Sequence, residues 1–302
     1  MGTQALPRRA SDLPGLGQVL AARFPGLGPR LRQAARYLLD HPEDVALLSM
    51  RQAASAARVH PATMVRLARA LGFAGYPAIR SLFVQHLRRR PSSYASKAVA
   101  LQRRGGVGAD HVVRQAAAAH ARNVHASFEL NAPGRLRACA EALEAARIVY
   151  VIGLRSCFPL AFFFHYVYRL FRENAVLLDG QAGTFPDGLR GMRSRDVLFA
   201  ISLSPYSGDT VRAVEFARRR GATVVALTDS QLSPLARRTR LSLLFTAETP
   251  SFFHSVTAAM AMVETLLALL VARGGRETVR AIHESEAQLS AFAAYWRERR
   301  QG

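Results

Sequence analysis

Between residues 136 and 272 the chain alternates short, almost wholly apolar runs with helix-length segments, and few folds can accept that pattern. The runs are Ile148–Ile152, which stops at Gly153, then Val176–Leu178, Val197–Ile201, Val224–Leu227 and Leu241–Phe245. Successive residues of a strand point to opposite faces, so a run without polar positions needs apolar neighbours on both sides. Strands of this kind, each followed by enough chain for a helix, build a parallel sheet covered on both faces. Residues 131–275 are therefore expected to form an α/β domain built on a doubly wound parallel sheet.

In such a sheet ligands bind beyond the C-terminal ends of the strands. Two of those ends run through polar loops into helices. The first is Gly153-Leu154-Arg155-Ser156, entering the segment 157–171. The second runs from Ser202 through Ser204, Pro205, Tyr206, Ser207 and Gly208 to Thr210, entering 211–220. Hydroxyls beside the free N–H groups of a helix start suit an anion; Gly208 lets the backbone come close, and Arg155 would add a positive fork. One such loop alone reads as a plain N-cap. Two of them after strands of one sheet point to a phosphate site.

Upstream, the apolar period becomes that of helices. Leu31, Ala34, Ala35 and Leu38 share a helix face, His41-Pro42 ends it, and a short helix over 43–48 is expected next. Ser49-Met50-Arg51-Gln52 has the spacing of a capping box and opens a helix to about Ala57. After the tight connection Arg58-Val59-His60, Pro61 begins a helix to Leu71, with Gly72 placed to cap its end. A helix, a three-residue turn and a second helix form the helix-turn-helix layout, with 61–71 as the recognition helix. Met64, Val65, Ala68 and Leu71 are expected to pack inward, and Ala62, Thr63, Arg66, Arg69 and Ala70 to project outward. Thr63 suits a phosphate or base edge, and Arg66 suits guanine or phosphates. Arg51, His60 and Pro61 complete the candidate DNA-contact set. An ordinary amphipathic helix with solvated arginines has the same pattern.

Charge separates the two regions. The chain carries 41 Lys+Arg against 21 Asp+Glu, and residues 1–104 hold 17 of the former but only 4 of the latter. Arginine-rich codon usage raises the total without explaining why one third of the chain holds most of the excess. A compact module this basic gains by displacing counterions from a polyanion. The first 25 residues, broken by Pro7, Arg8, Arg9, Pro14 and Pro25, do not read as a signal peptide. The most apolar segments, Cys157–Tyr168 and Thr257–Val271, are too short or too charged to span a bilayer. Cys139 and Cys157 make neither a disulfide framework nor a zinc knuckle, and the histidines lack metal-ligand spacing. A soluble cytoplasmic protein without cofactor or metal is expected. Residues 1–24 are expected to be a flexible N-terminus. The DNA-binding domain is expected over 25–95, a linker and connecting helix over 96–130 (with Pro91, Ser92 and Ser93 before it), and a terminal helix over 276–302.

Residues 49–77, SMRQAASAARVHPATMVRLARALGFAGYP, resemble the DNA-binding domain of RpiR-type bacterial transcriptional regulators, through Val59, Ala62, Thr63, Val65, Arg66, Leu71, Gly72, Phe73, Gly75 and Tyr76. His60 stands where that family usually has serine, a better helix cap. The segments VIGLRS (151–156), DVLFAIS…SGDT (196–210) and ALTDSQLSPLA (226–236) resemble the SIS domain, which binds phosphosugars. The family's usual G-x-G-x-S loop is Gly153-Leu154-Arg155-Ser156 here, and Pro205-Tyr206 lengthens the serine-rich loop. The resemblance implies a DNA-binding transcriptional regulator, a homodimer or tetramer on double-stranded operator DNA. Its operator affinity would be set by a phosphorylated sugar or related carbohydrate metabolite bound in the SIS domain.

The alternative is an active phosphosugar aldose–ketose isomerase with an accessory nucleic-acid-binding domain. That reaction needs a general base to move a proton between neighbouring carbons. Glu215 has no obvious path back to the loop, and Asp179 and Asp229 read as loop-orienting residues. His254 is the one plausible base, and it reads better as an effector contact. Two further segments suit packing or a subunit interface: the aromatic run 157–171, and a stripe of Val279, Ile282, Ala287, Leu289, Phe292 and Trp296 on a helix over 276–299.

Overall fold

The computed structural model describes residues 13–88, 94–105 and 108–296. Arg8, Arg9, the connection at Pro91-Ser92-Ser93 and the last expected helix beyond residue 296 lie outside the described residues. The chain divides between residues 103 and 104 into two compact units.

Among the described residues six helices lie wholly in the first unit: α1 (Leu13–Arg23), α2 (Pro29–Asp40), α3 (Pro42–Leu47), α4 (Met50–Ala56), α5 (Pro61–Ala70) and α6 (Tyr76–Arg88). A further helix, α7 (Tyr94–Gly105), runs across the division, where the sequence reads as a connection. The capping box forms: Gln52 N–H donates to Ser49 Oγ at 3.4 Å, and Ser49 N–H donates to Gln52 Oε1 at 3.0 Å. The far end of α5 is closed by Gly72 at φ 87, a left-handed conformation that favours glycine. Gly72 N–H bonds the Arg69 carbonyl and Phe73 N–H bonds the Ala68 carbonyl, so two of the helix's last carbonyls are satisfied.

The expectation of a flexible start is corrected from Leu13 onward. Leu16, Val19 and Leu20 are buried at helical spacing along α1, which lies against α6. Arg23, at the end of α1, donates from Nη1 to the carbonyl of Ala70 in the last turn of α5. The Gly and Pro content hides this stripe from a compositional reading. Pro14 is harmless, because the first helical turn has no use for its missing N–H.

The second unit runs α8 (Ala109–Leu130), α9 (Pro133–Glu144), β1 (Val149–Gly153), α10 (Phe158–Tyr168), β2 (Ala175–Leu177), α11 (Phe185–Gly188), β3 (Val197–Ser202), α12 (Gly208–Arg219), β4 (Thr223–Thr228), β5 (Leu241–Leu244), α13 (Thr257–Arg273) and α14 (Gly275–Ala291). The strands form one parallel sheet in the order β2-β1-β3-β4-β5. Alternate residues serve opposite faces. Val149, Val151, Val197, Phe199, Ile201, Val225 and Leu227 meet α9, α10 and α13. Tyr150, Ile152, Leu198, Ala200, Val224 and Ala226 meet Ala213, Val214 and Ala217 of α12, with Leu189 and Met192. Both faces are covered, as the apolar runs require.

Among the described residues no single helix is long and apolar enough to cross a membrane; α13 and α14 pass that test only as a pair bent by 115°. The stripe expected on the last helix is covered only in part. Ile282 packs against the core, whereas Val279, Phe292 and Trp296 are exposed, Trp296 by 85%. The helix ends at Ala291, before Phe292 and Trp296, so the stripe does not continue as one helix.

The buried stripe of α1 makes that helix part of the first unit's core. Leu16→Ala is expected to lower the stability of this unit by about 2–5 kcal/mol. Urea unfolding of the full chain followed by circular dichroism checks this, and an unchanged transition would return α1 to the status of an appendage.

Candidate functional site

The outer face of α5 is set by its phase, and the phase differs by one position from the sequence reading. Thr63, Met64, Leu67, Ala68 and Leu71 are buried, Thr63 to 2% exposure. Thr63 therefore does not project outward as expected, and Val65, expected inside, is half-exposed. The helix meets three neighbours, α2, α4 and α6, so its buried stripe is wider than contact with α4 alone demands. Thr63 keeps a connection to the surface, because Arg66 Nη2 lies 3.4 Å from its Oγ1 and donates to it. Arg51, His60, Ala62, Arg66 and Arg69 are exposed, and Pro61 is half-exposed.

His60 is the N-cap of α5. Its Nδ1 accepts the Ala62 N–H at 3.3 Å, doing with an imidazole what serine does with a hydroxyl. Arg58, absent from the sequence-derived set, is exposed in the turn at φ 54, a conformation L-residues seldom adopt. Gln33 Nε2 of α2 holds this turn by donating to the Ala57 carbonyl at 3.1 Å and the Arg58 carbonyl at 3.4 Å. Arg51, Arg58, Arg66 and Arg69 thus give the two helices and their turn an exposed cationic set.

In the second unit the strand order places the end of β1 beside that of β3, with Gly153 paired to Ile201. The chain leaves β1 for β2 on one side and β3 for β4 on the other, so the two loops part there, at the place where such sheets bind their ligands. Neither α10 nor α12 has a side-chain cap at its start. Arg155 is exposed with its backbone at φ 55. Ser156 Oγ lies 2.8 Å from Nε2 of His254, which comes from the segment after the edge strand β5. Sequence alone leaves these residues 98 positions apart.

The remaining candidates divide by accessibility. Ser204 and Gly208 are exposed, and Ser207 is half-buried. Ser202 and Thr210, expected as effector contacts, are buried. Ser202 Oγ accepts the Ser207 N–H at 3.3 Å and so shapes the loop, while the enclosed Thr210 hydroxyl has no hydrogen-bond partner. Gly153 is also enclosed. A Cβ there would stand 2.5 Å from the Cys157 carbonyl oxygen and 3.1 Å from Ala161 Cβ, so its role is to let α10 approach the strand end. At Gly208 a Cβ would meet only the tip of the Arg212 side chain, at 3.3 Å.

The longer serine loop is anchored from β4. Asp229 accepts the Ser204 N–H at 3.2 Å and the Tyr206 hydroxyl at 2.9 Å, the loop-orienting role expected of it. Burial pushes the Asp229 carboxyl above its ordinary range, against the pull of these two donors. Burial and the neighbouring carboxylate likewise push the Tyr206 hydroxyl up, so it remains a donor. Asp179 similarly accepts the Gln181 N–H in its own loop at 3.0 Å. Burial pushes the Cys157 thiol up to about 11, which makes it an inert packing group.

Comparison with known proteins assigns a domain family to each unit. Residues 23–90 match the helix-turn-helix domain of the rpiR family, and residues 142–269 match the SIS domain. The HTH-type transcriptional regulator YfhH of Escherichia coli is 26% identical over 253 residues, 81% of this chain and 87% of its own length. The sugar isomerase domain of an RpiR transcription factor from Sphaerobacter thermophilus is 25% identical with a TM-score of 0.56, covering 58% of this chain and 98% of that domain. The Vibrio vulnificus NanR protein complexed with ManNAc-6P shares the fold at 20% identity and TM-score 0.53, over 93% of this chain and all of its own. A helix-turn-helix domain followed by a SIS domain defines a transcriptional regulator with a built-in ligand-binding module. The chain belongs to the RpiR-type regulators.

Two outcomes follow from the geometry. Arg66→Ala is expected to lower DNA affinity by about 1–3 kcal/mol in a fluorescence-anisotropy titration if Arg66 reads a base; unchanged affinity would remove it from the contact set. Gly153→Ala is expected to lower stability by about 1–3 kcal/mol through overpacking, with Gly208→Ala near neutral. Equal effects in thermal unfolding would contradict the assignment of Gly153 to packing.

Proposed function

We propose that α4 and α5 bind double-stranded operator DNA, and that a phosphorylated sugar or related carbohydrate metabolite held beyond β1 and β3 sets that affinity. The observation that supports this reading is the switch in strand order between β1 and β3, where one loop carries Arg155 and Ser156, the other carries Ser204 and Ser207, and His254 meets Ser156. The uncapped start of α12, the loop hydroxyls and the Arg155 guanidinium suit a phosphate monoester. The NanR complex with ManNAc-6P supports the ligand class by shared fold. The protein acts as a homodimer or tetramer, presenting paired recognition helices to a pseudo-palindromic site, and works in the cytoplasm where the DNA is.

The domain senses its ligand and does not turn it over. Glu215 is paired with Arg238 at 2.6 Å, and Asp229 is engaged by Ser204 and Tyr206. His254 remains the one candidate base, and its Nε2 is engaged by Ser156. The two carboxylates are thus held in an ion pair and a loop anchor, which favours binding over proton transfer.

A thermal-shift screen of phosphosugars and sugar acids, with a DNA-binding assay for each hit, tests the reading. Ser204→Ala combined with Ser207→Ala is expected to abolish both the shift and the effector response while leaving binding of ligand-free protein to DNA unchanged. A retained response would place the effector elsewhere. Turnover of any phosphosugar in an isomerase assay, lost in His254→Ala, would restore the enzymatic alternative.

A further inference from the structure

The α8 helix has a line of polar residues where a packed helix is ordinarily apolar. His120, Asn123, Ser127 and Asn131 follow at spacings of three and four, the last just past the helix end, and the last three are buried. All four are bonded to one segment, residues 244–257, which runs from the end of β5 to the start of α13. Asn131 is bonded twice to Leu244, donating to its carbonyl at 2.6 Å and accepting its N–H at 2.9 Å. Ser127 Oγ accepts the Thr246 N–H at 2.9 Å. Asn123 Nδ2 donates to the Glu248 carbonyl at 2.6 Å, while the Asn123 carbonyl accepts the Thr246 hydroxyl at 3.1 Å. His120 Nδ1 lies 3.1 Å from Ser255 Oγ and 3.4 Å from Thr257 Oγ1.

This segment closes on itself, since Ser255 N–H donates to the Ala247 carbonyl at 3.3 Å. Both legs of the loop are therefore fastened to one helix face. The residue next to Ser255 is His254, whose ring reaches across to Ser156 at 2.8 Å. At its other end α8 is bare. Its first ten residues include no buried side chain, and burial begins at Ala119. In sequence those bare turns lead back through α7 toward the DNA-binding domain.

Directional bonds to buried partners either follow a displaced loop or break, and a broken one leaves a desolvated polar group unpaired. An apolar stripe would slide instead. We propose that the His120–Asn131 stripe couples the pocket to the helix that leads to the DNA-binding domain. A ligand that takes the Ser156 hydroxyl from His254 shifts residues 244–257, and α8 shifts with them. The proposal rests on the reading that the effector is held beyond β1 and β3.

Hydrogen–deuterium exchange on the full chain tests it without a known ligand. His254→Ala removes the contact that a ligand would take. It is expected to speed exchange several-fold in residues 244–257 and also in 109–122. In a background carrying His120→Ala and Asn123→Ser, the effect on 244–257 is expected to remain while that on 109–122 disappears. An unchanged 109–122 in the first experiment overturns the proposal, as does an equal response in both backgrounds. If His254→Ala does not fold, Ser156→Ala breaks the same contact from the other side. Inorganic phosphate, used as a probe in the same measurement, separates the two readings. Failure to protect 153–157 and 202–210, with the coupling to α8 intact, would overturn the pocket and leave the coupling standing.

Discussion

All five strands of the second unit run the same way, and this one constraint organises the site. Parallel strands deliver every strand-to-helix loop to the same end of the sheet, so polar groups far apart in sequence collect there. The order β2-β1-β3-β4-β5 then parts the loops that follow β1 and β3. The close approach of α10 at Gly153 keeps one wall tight, and Asp229 holds the other loop from β4. The edge strand β5 alone would leave its loop at the margin. The bonds of residues 244–257 to α8 and of His254 to Ser156 tie that loop to both the helix and the loop after β1.

The DNA-binding unit follows a different logic. Its short helices cannot stand alone, because an isolated helix of 7 to 10 residues is marginal in water. They are held by caps and by burial against one another. Ser49 and Gln52 start α4, His60 starts α5, Gly72 ends it, and Arg23 of α1 bonds its last turn. With the ends pinned, the helix phase is fixed, and Arg66 and Arg69 stay on the solvent side while Thr63 is drawn inside. Thr63 thereby becomes a positioning residue for the guanidinium of Arg66.

The two units answer different demands on the same chain. Recognition of DNA needs exposed cations on a rigid frame, and sensing a metabolite needs a crevice whose contacts can be exchanged. His254 is suited to the second demand because its hydrogen bond to Ser156 is one that a phosphate or hydroxyl could replace. Its neighbour Ser255 is fastened to α8 through His120. A loop that joins a replaceable contact to several fixed ones has the character of a sensor.

Local order was legible in the amino acids. The apolar runs marked the five strands to within a residue or two, because a strand buried on both faces admits few polar positions. The capping box, Pro61 and Gly72 marked α4 and α5, because caps are written in adjacent residues. The family motifs marked the two domains. The rest depended on partners distant in sequence. The helix α1 lay hidden beneath Gly and Pro because the stripe of Leu16, Val19 and Leu20 means little until α6 is beside it. Thr63 and Val65 changed sides because three neighbours, and not one, cover α5. Ser202 and Thr210 look like ligand groups in a serine-rich string, yet loop packing encloses both. The pairing of Ser156 with His254, and of Asn123 and Ser127 with residues 244–257, arises only when parallel strands bring separate loops to one end. Sequence determined the elements, through periodicity and caps that act over a few residues. Tertiary structure decided which polar groups meet and which stay open to solvent, because burial is a property of the assembled layers.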